Sequence, residues 1–210
     1  MFKRGIAPLT IALLGLALMA GCGGEPPQAE LDGAKVALDA ARAAGAPKFA
    51  SSELSAAQSS YDAAKAAFGE EADKLFPDWQ PVSQKIADAK SGADRAKSAA
   101  SAAKDRARGA ADAAIAAAAG AIQSARESLV AAPAGKGTEG DIEQLGADLD
   151  AADAELSAAR SASSSEDFDG ATAKANGAEI NAEAVSAGVE QAVARYHELV
   201  EANTPWYMRM

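Results

Sequence analysis

Residues 78–132 read "DWQPVSQKIADAKSGADRAKSAASAAKDRARGAADAAIAAAAGAIQSARESLVAA". Apolar positions recur here at alternating steps of three and four: Trp79, Val82, Ile86, Ala89, Ala93, Ala96, Ala100, Ala103 and Ala107, then Ile115, Ala118, Ile122, Ala125, Leu129 and Ala132. That spacing keeps one face of an α-helix aligned, as in a left-handed coiled coil. Pro81 falls in the first turn, where its missing N–H is tolerated, and the next proline is Pro133. Gly92, Gly109 and Gly120 each weaken the run by only about 1 kcal/mol relative to alanine. Asp78 is placed to cap the start. The stretch is therefore read as one helix of about 55 residues, roughly 80 Å long at about 1.5 Å per residue. The stripe slips by one position between Ala107 and Ile115, so that Leu129 follows Trp79 by fifty residues, one more than seven heptads. Such a slip changes which face is buried, and the two ends of the helix are expected to serve different bundles.

Four more stripes flank the long one. Leu31, Ala34, Leu38, Ala41 and Gly45 form the first, and Leu54, Ala57, Tyr61, Ala64 and Phe68 the second. Beyond residue 132 come Ile142, Leu145, Leu149, Ala152, Leu156 and Ala159, then a run from Phe168 through Ala175, Ala182 and Val189 to Leu199. Gly45, Ala46 and Pro47 end the first helix, with Ser51 or Ser52 as the expected cap of the second. Residues 76–78 end the second helix, residues 133–140 form a Gly-rich connection, and residues 161–167 form the last turn. The stripes align with one another: Leu54 to Phe68 matches Ile142 to Leu156 at an offset of 88, Trp79 to Ala89 matches Phe168 to Ala178 at 89, and Leu31 to Ala41 matches Ile122 to Ala132 at 91. An all-α fold follows: an elongated antiparallel coiled coil of two tandem three-helix units that share one long central helix. This layout is similar to spectrin-type tandem repeats, with alanine seams letting helices approach toward about 8 Å. The expected divisions are a signal segment at 1–21, a tether at 22–28, a first unit at 29–110, a second at 111–203 and an aromatic tail at 204–210.

Composition agrees with helices and narrows the partners. Alanine supplies 59 of 210 residues, aromatic residues 5%, and the net charge is −10. Alanine is the best helix former but buries little area, so the core is expected to be thin. Loss of residues 1–21 would remove Lys3 and Arg4 and no acid, leaving the remainder near −12. So acidic a chain is poorly suited to nucleic acid, which is bound through lysine and arginine on phosphate, or to electrostatic docking on anionic lipid. Ion pairs such as Asp39 with Arg42 lie off the stripes and read as a solvated helix face.

The N-terminus carries an address. Lys3 and Arg4 precede an apolar run over residues 6–20, followed by small residues and then Cys22, the one cysteine of the chain. Basic start, apolar run and small residues make the three-part pattern of a secretory signal, and the run is short for a span of about 20 residues. Leu18-Met19-Ala20-Gly21-Cys22 resembles the lipobox of bacterial lipoproteins, with Met19 where leucine is more usual. The resemblance implies acylation (palmitate among the chains) at Cys22, which becomes the mature N-terminus. It implies lipid anchoring in the cell envelope and, with Gly23 rather than aspartate after the cysteine, the outer membrane facing the periplasm. One acyl chain binds membranes reversibly and several bind stably. Residues 37–68, "ALDAARAAGAPKFASSELSAAQSSYDAAKAAF", also resemble an alanine-rich helical hairpin of bacterial envelope lipoproteins with no assigned function. That family brings no catalytic residues.

Candidate chemistry is sparse. His197, the single histidine, stands beside Tyr196 and Glu198 with no convergent partners by spacing. Glu166, Asp167 and Asp169 cluster at a helix start, where acids are expected, without the spacing of a calcium loop. "GKGTEG" at 135–140 lacks the spacing of a phosphate-binding loop and reads as a linker. No catalytic residue, metal site or cofactor is expected. Trp206, Tyr207, Met208 and Met210 follow Pro205; they either pack back on the bundle or form a contact for a partner or membrane interface, where Trp and Tyr are favoured. The expected function is a non-enzymatic, lipid-anchored periplasmic structural or interaction module with an unknown envelope protein partner. The alternative is a lipid or small-ligand carrier using apolar helix faces. Narrow alanine stripes favour the first, because a lipid-binding helix needs a broad face of large side chains.

Overall fold

In a computed structural model, the described residues are 25–133, 135 and 137–205, and all their regular structure is helical. Six helices follow in order: α1 (Gln28–Ala43), α2 (Ala46–Phe49), α3 (Ser51–Ala72), α4 (Gln80–Ala131), α5 (Glu139–Ser164) and α6 (Phe168–Asn203). The fold is all-α, and α4 runs unbroken through Gly109 and Gly120. Two compact units divide at Lys104 and Asp105. The first holds α1, α2, α3 and the start of α4; the second holds the remainder of α4 with α5 and α6.

In the first unit the core has an end built of large side chains and an end built of small ones. Leu31, Ala34, Ala64, Trp79, Val82 and Ile86 pack together with Tyr61, Ala67 and Phe68. Leu38, Ala57 and Ala93 form the middle. At the far end the buried residues are Ala41, Ala46, Ala50, Ala96 and Ala100, with Phe49 and Leu54 packed against them. Packed methyl groups bring backbones together: a Cβ placed on Gly92 would stand 3.5 Å from both Cα and Cβ of Ala57. The second unit has one continuous core of Ala118, Ile122, Ala125, Leu149, Ala152, Leu156, Ala159, Ala175, Ala178, Ala182, Val185 and Val189.

Burial repeats at the offset of 89 read from the sequence. Trp79, Val82, Ile86, Ala89, Ala93, Ala96 and Ala100 are buried, and so are Phe168, Ala171, Ala175, Ala178, Ala182, Val185 and Val189. The slip in the α4 stripe does not swing a new face inward, as the heptad count suggested. From Ala100 to Ile122 the buried and half-buried positions are 100, 103, 104, 107, 111, 114, 115, 118, 119, 121 and 122, and within them 100, 103, 107, 111, 114, 118 and 122 make two successive eleven-residue periods. Eleven residues in three turns is close to the natural period of a straight α-helix. The extra residue is spread over 22 positions, and Ala114 and Ile115 both pack on the second core.

The helix ends show where local reading was incomplete. Gly45 adopts a φ of 89° after α1 and donates to Arg42 O at 3.0 Å, as a left-handed residue beyond a helix does. The chain then makes the one-turn helix α2 with Pro47 in its first turn, an element that four residues cannot announce in sequence. Neither Ser51 nor Ser52 caps α3: Ala50 is the N-cap residue with no side-chain bond, and Ser52 Oγ donates to Glu53 Oε2 instead. Asp78 Oδ1 accepts from Gln80 N at 3.1 Å at the start of α4. Residues 161–164, expected in a turn, belong to α5. Their hydroxyls bond back along the helix, Ser161 Oγ to Ser157 O and Ser164 Oγ to Arg160 O, which lets serine continue a helix.

The α5 terminus is a full Schellman arrangement. Asp167 N donates to Ala162 O at 2.9 Å and Glu166 N to Ser163 O at 3.0 Å, with Glu166 at φ 63°. A left-handed conformation costs a side-chain-bearing residue about 1–2 kcal/mol. Glu166→Gly is therefore expected to stabilise the second unit by about 1 kcal/mol, less whatever its carboxylate contributes, as an upward shift in urea midpoint. A lower midpoint would mean that the glutamate side chain outweighs the backbone cost.

Candidate functional site

The residues singled out by sequence fall into two groups. Cys22, Trp206, Tyr207, Met208 and Met210 lie outside the described residues. The others can be placed. His197 is exposed on α6, edge-on to the Tyr196 ring with centroids 5.8 Å apart. Asp167 is the N-cap of α6, its Oδ1 accepting from Gly170 N at 3.3 Å, and Glu166 occupies the Schellman position. Among the described residues no group of three or more His, Cys, Asp or Glu is arranged to hold a metal ion. None of the described helices is long and apolar enough to cross a membrane.

The segment at 135–140 is more than a connection. Thr138 is buried, with its N–H donating to Gly135 O at 3.0 Å and its Oγ1 to the same oxygen at 3.3 Å. Gly135 lies so near Tyr196 that a Cβ there would be 2.5 Å from the ring. The connection is fastened to the end of α6, and glycine is what allows the approach.

Shallow grooves run between helices. One, of about 410 Å³, lies between α5 and α6 along Asp141, Gln144, Leu145, Gly188, Gln191 and Arg195. Arg195 Nη1 and Asp141 Oδ2 pair across it at 3.0 Å, both roughly half-exposed; such a pair contributes no more than about 1 kcal/mol. Arg126 with Asp153 and Asn181 with Glu155 make similar links between helices of this unit. A second groove, of about 380 Å³, lies between α1 and α4 around Gly33 and Ile86, with Glu30 and Lys90 at its margin. The first groove offers amides and a charge pair; the second offers methyl groups with one acidic and one basic side chain.

The most distinctive surface is the turn joining α3 to α4. Glu71, at the end of α3, is 9% exposed. Its Oε2 accepts from Lys74 Nζ at 2.6 Å and its Oε1 from Asp78 N at 2.6 Å. One carboxylate thus holds both sides of the turn. These bonds, Lys74 first and the Asp78 N–H second, hold the Glu71 carboxyl below its ordinary 4.5, and the same contact raises Lys74. Beneath the turn, Trp79 packs on Phe68 with ring centroids 5.1 Å apart. Beyond it stand Leu75 and Phe76, 87% and 86% exposed. Sequence reading took residues 76–78 only as a helix break. The available signal was two adjacent large apolar residues belonging to no stripe, in a chain that is otherwise poor in them.

The state of Glu71 should be visible in stability against pH. A carboxyl depressed in the folded protein stabilises it above the unfolded value, and that contribution disappears as pH falls through the lower folded value. Glu71→Gln is expected to be less stable than the parent at pH 7, with the difference shrinking below about pH 4.5. Urea unfolding at pH 7 and pH 3 measures this. An equal difference at both values would assign the effect to amide geometry instead of charge.

The same end of the first unit receives α1. Leu31 joins Trp79, Val82 and Ile86 in one cluster. Pro27 is buried, Gln28 N donates to Pro26 O at 2.8 Å, and Leu31 N donates to Pro27 O at 3.0 Å. The chain is thus tied to the bundle from Pro26 onward. Comparison with family models, with curated proteins and with solved structures finds no match for the chain.

Proposed function

We propose that this chain is a lipid-anchored, non-enzymatic structural or protein-interaction module of the bacterial envelope, held by acyl chains on Cys22 in the outer membrane and facing the periplasm. The lipobox-like residues supply the anchor. The observation that carries the remainder is how the stripes are used: their large side chains are spent on packing between helices, and alanine fills the other inward positions. A protein built this way offers firm helical surfaces more readily than an internal chamber. Trp206, Tyr207 and Met208 are the candidate contact for an envelope protein partner. Nucleic acid is not a partner suited to the charge of −10. The second reading, a lipid or small-ligand carrier, draws on the groove between α1 and α4. Lipid in the native mass of purified protein, in amounts matching one chain per molecule, would favour it.

Cys22→Ser tests the anchor. The substituted chain is expected to leave the membrane fraction, or to accumulate as unprocessed precursor, and to lack the mass of acyl chains. Unchanged membrane fractionation together with an unchanged mass would reject the anchor.

A further inference from the structure

We propose that Leu75 and Phe76 enter the lipid surface beside the anchor, so that the α3–α4 turn is a second membrane contact of the first unit. This rests on acylation of Cys22. Glu25, the first described position, is three steps along the chain from Cys22, and a chain spans at most about 3.6 Å per residue. An acylated Cys22 therefore stands within about 11 Å of Glu25. From Pro26 onward the chain is fastened to the first unit, at the end where Leu31 packs on Trp79 and Val82. Leu75 and Phe76 belong to this same end, four and three residues before Trp79. Short reach and fixed attachment bring this end of the first unit to the bilayer.

The chemistry of the turn fits a shallow contact. Leucine and phenylalanine standing almost fully in water gain free energy on entering an apolar phase. Their backbone cannot follow deep into hydrocarbon, because a turn leaves polar groups unsatisfied there. Exposed Glu70, Asp73 and Asp78 set a polar limit on both sides, while the Glu71 carboxylate is engaged by Lys74 and the Asp78 N–H. Two bonds to the Glu71 carboxylate brace the turn before contact, which lowers the ordering entropy that opposes it. Acidic flanks suit a zwitterionic surface and not an anionic one. Anchor and turn together would hold the first unit by two points and fix its end against the membrane.

A new cysteine reports on this, because Cys22 is consumed by acylation. Full-length Phe76→Cys and Leu75→Cys proteins carry a polarity-sensitive fluorophore and are reconstituted in phosphatidylcholine vesicles, with and without nitroxide-labelled lipid. Ser52→Cys, at the opposite end of α3, is the control. Mass spectrometry of the same samples reads acylation. The expected result is acylated protein whose labels at 75 and 76 shift to the blue and are quenched by nitroxide lipid, with the label at 52 unchanged. Acylated, vesicle-bound protein whose labels at 75 and 76 behave like the one at 52 overturns the inference and leaves the anchor standing. Protein with no acyl mass overturns the anchor and the inference together. A blue shift that appears without vesicles and grows with protein concentration assigns the turn to a second copy of the chain and also overturns it.

Discussion

Ala113→Pro is expected to lower the unfolding free energy by about 3 kcal/mol or more. Ala113 is exposed, so the effect comes from the backbone alone: proline removes an intrahelical hydrogen bond and its ring strikes the carbonyl one turn earlier. The site lies just inside the second of the two eleven-residue periods of α4, within the stretch where the stripe changes phase. Ala113→Gly is the companion, costing about 1 kcal/mol. Urea unfolding followed by far-ultraviolet circular dichroism measures both. Because α4 supplies a helix to each unit, the proline variant is also expected to broaden the transition or split it in two. Equal, small losses for the two variants, or fast hydrogen exchange between Ala107 and Ile115 in the parent, would mean that α4 is already broken there.

Trp79→Ala is expected to cost about 3–5 kcal/mol. The indole is buried, packs at a tilt on Phe68 and joins Leu31, Ala34, Ala64, Val82 and Ile86 in the main cluster of large side chains in the first unit. The cavity left among Leu31, Val82, Ile86 and Phe68 adds to the transfer energy lost with the indole. Leu75→Ala and Phe76→Ala, four and three positions away, are expected to change stability by no more than about 0.5 kcal/mol, since both side chains already stand in solvent. Chemical denaturation of the three variants checks the contrast. A large loss in Phe76→Ala would place that ring in the core and remove the basis for a membrane contact at the turn.

These two predictions separate what was legible from what was not. The long helix was legible because sustained three-and-four spacing has few other physical meanings, and glycine penalties of about 1 kcal/mol cannot offset so much alanine. The matched burial of Trp79 with Phe168 and of Ile86 with Ala175 could be read from spacing alone. Caps were less legible. Ser51 and Ser52 are good capping residues by type, yet the one-turn α2 brings the chain into α3 at Ala50, where no side chain is needed. The serine run at 161–164 looks like a loop by composition, but its hydroxyls bond back to the preceding turn. Glu166 could not be foreseen as left-handed, because glycine is the residue that usually marks that position.

The sequence by itself determined the helical class, the continuity of α4 and the identity of the inward stripes. Those depend on local propensity and on a period that each helix carries alone. It also carries the lipobox-like motif at Cys22, on which the anchor proposal stands. Tertiary structure decided what happens where helices meet. It showed that the phase slip is absorbed over 22 residues with no break in the helix, and that Glu71 reaches seven residues forward to hold a turn. It set Gly135 against the Tyr196 ring and buried Thr138. It left Leu75 and Phe76 outside while burying Trp79. The reason is geometric: periodicity says which side of a helix faces inward, but the fate of a residue in a turn depends on which neighbours the other helices bring to that place.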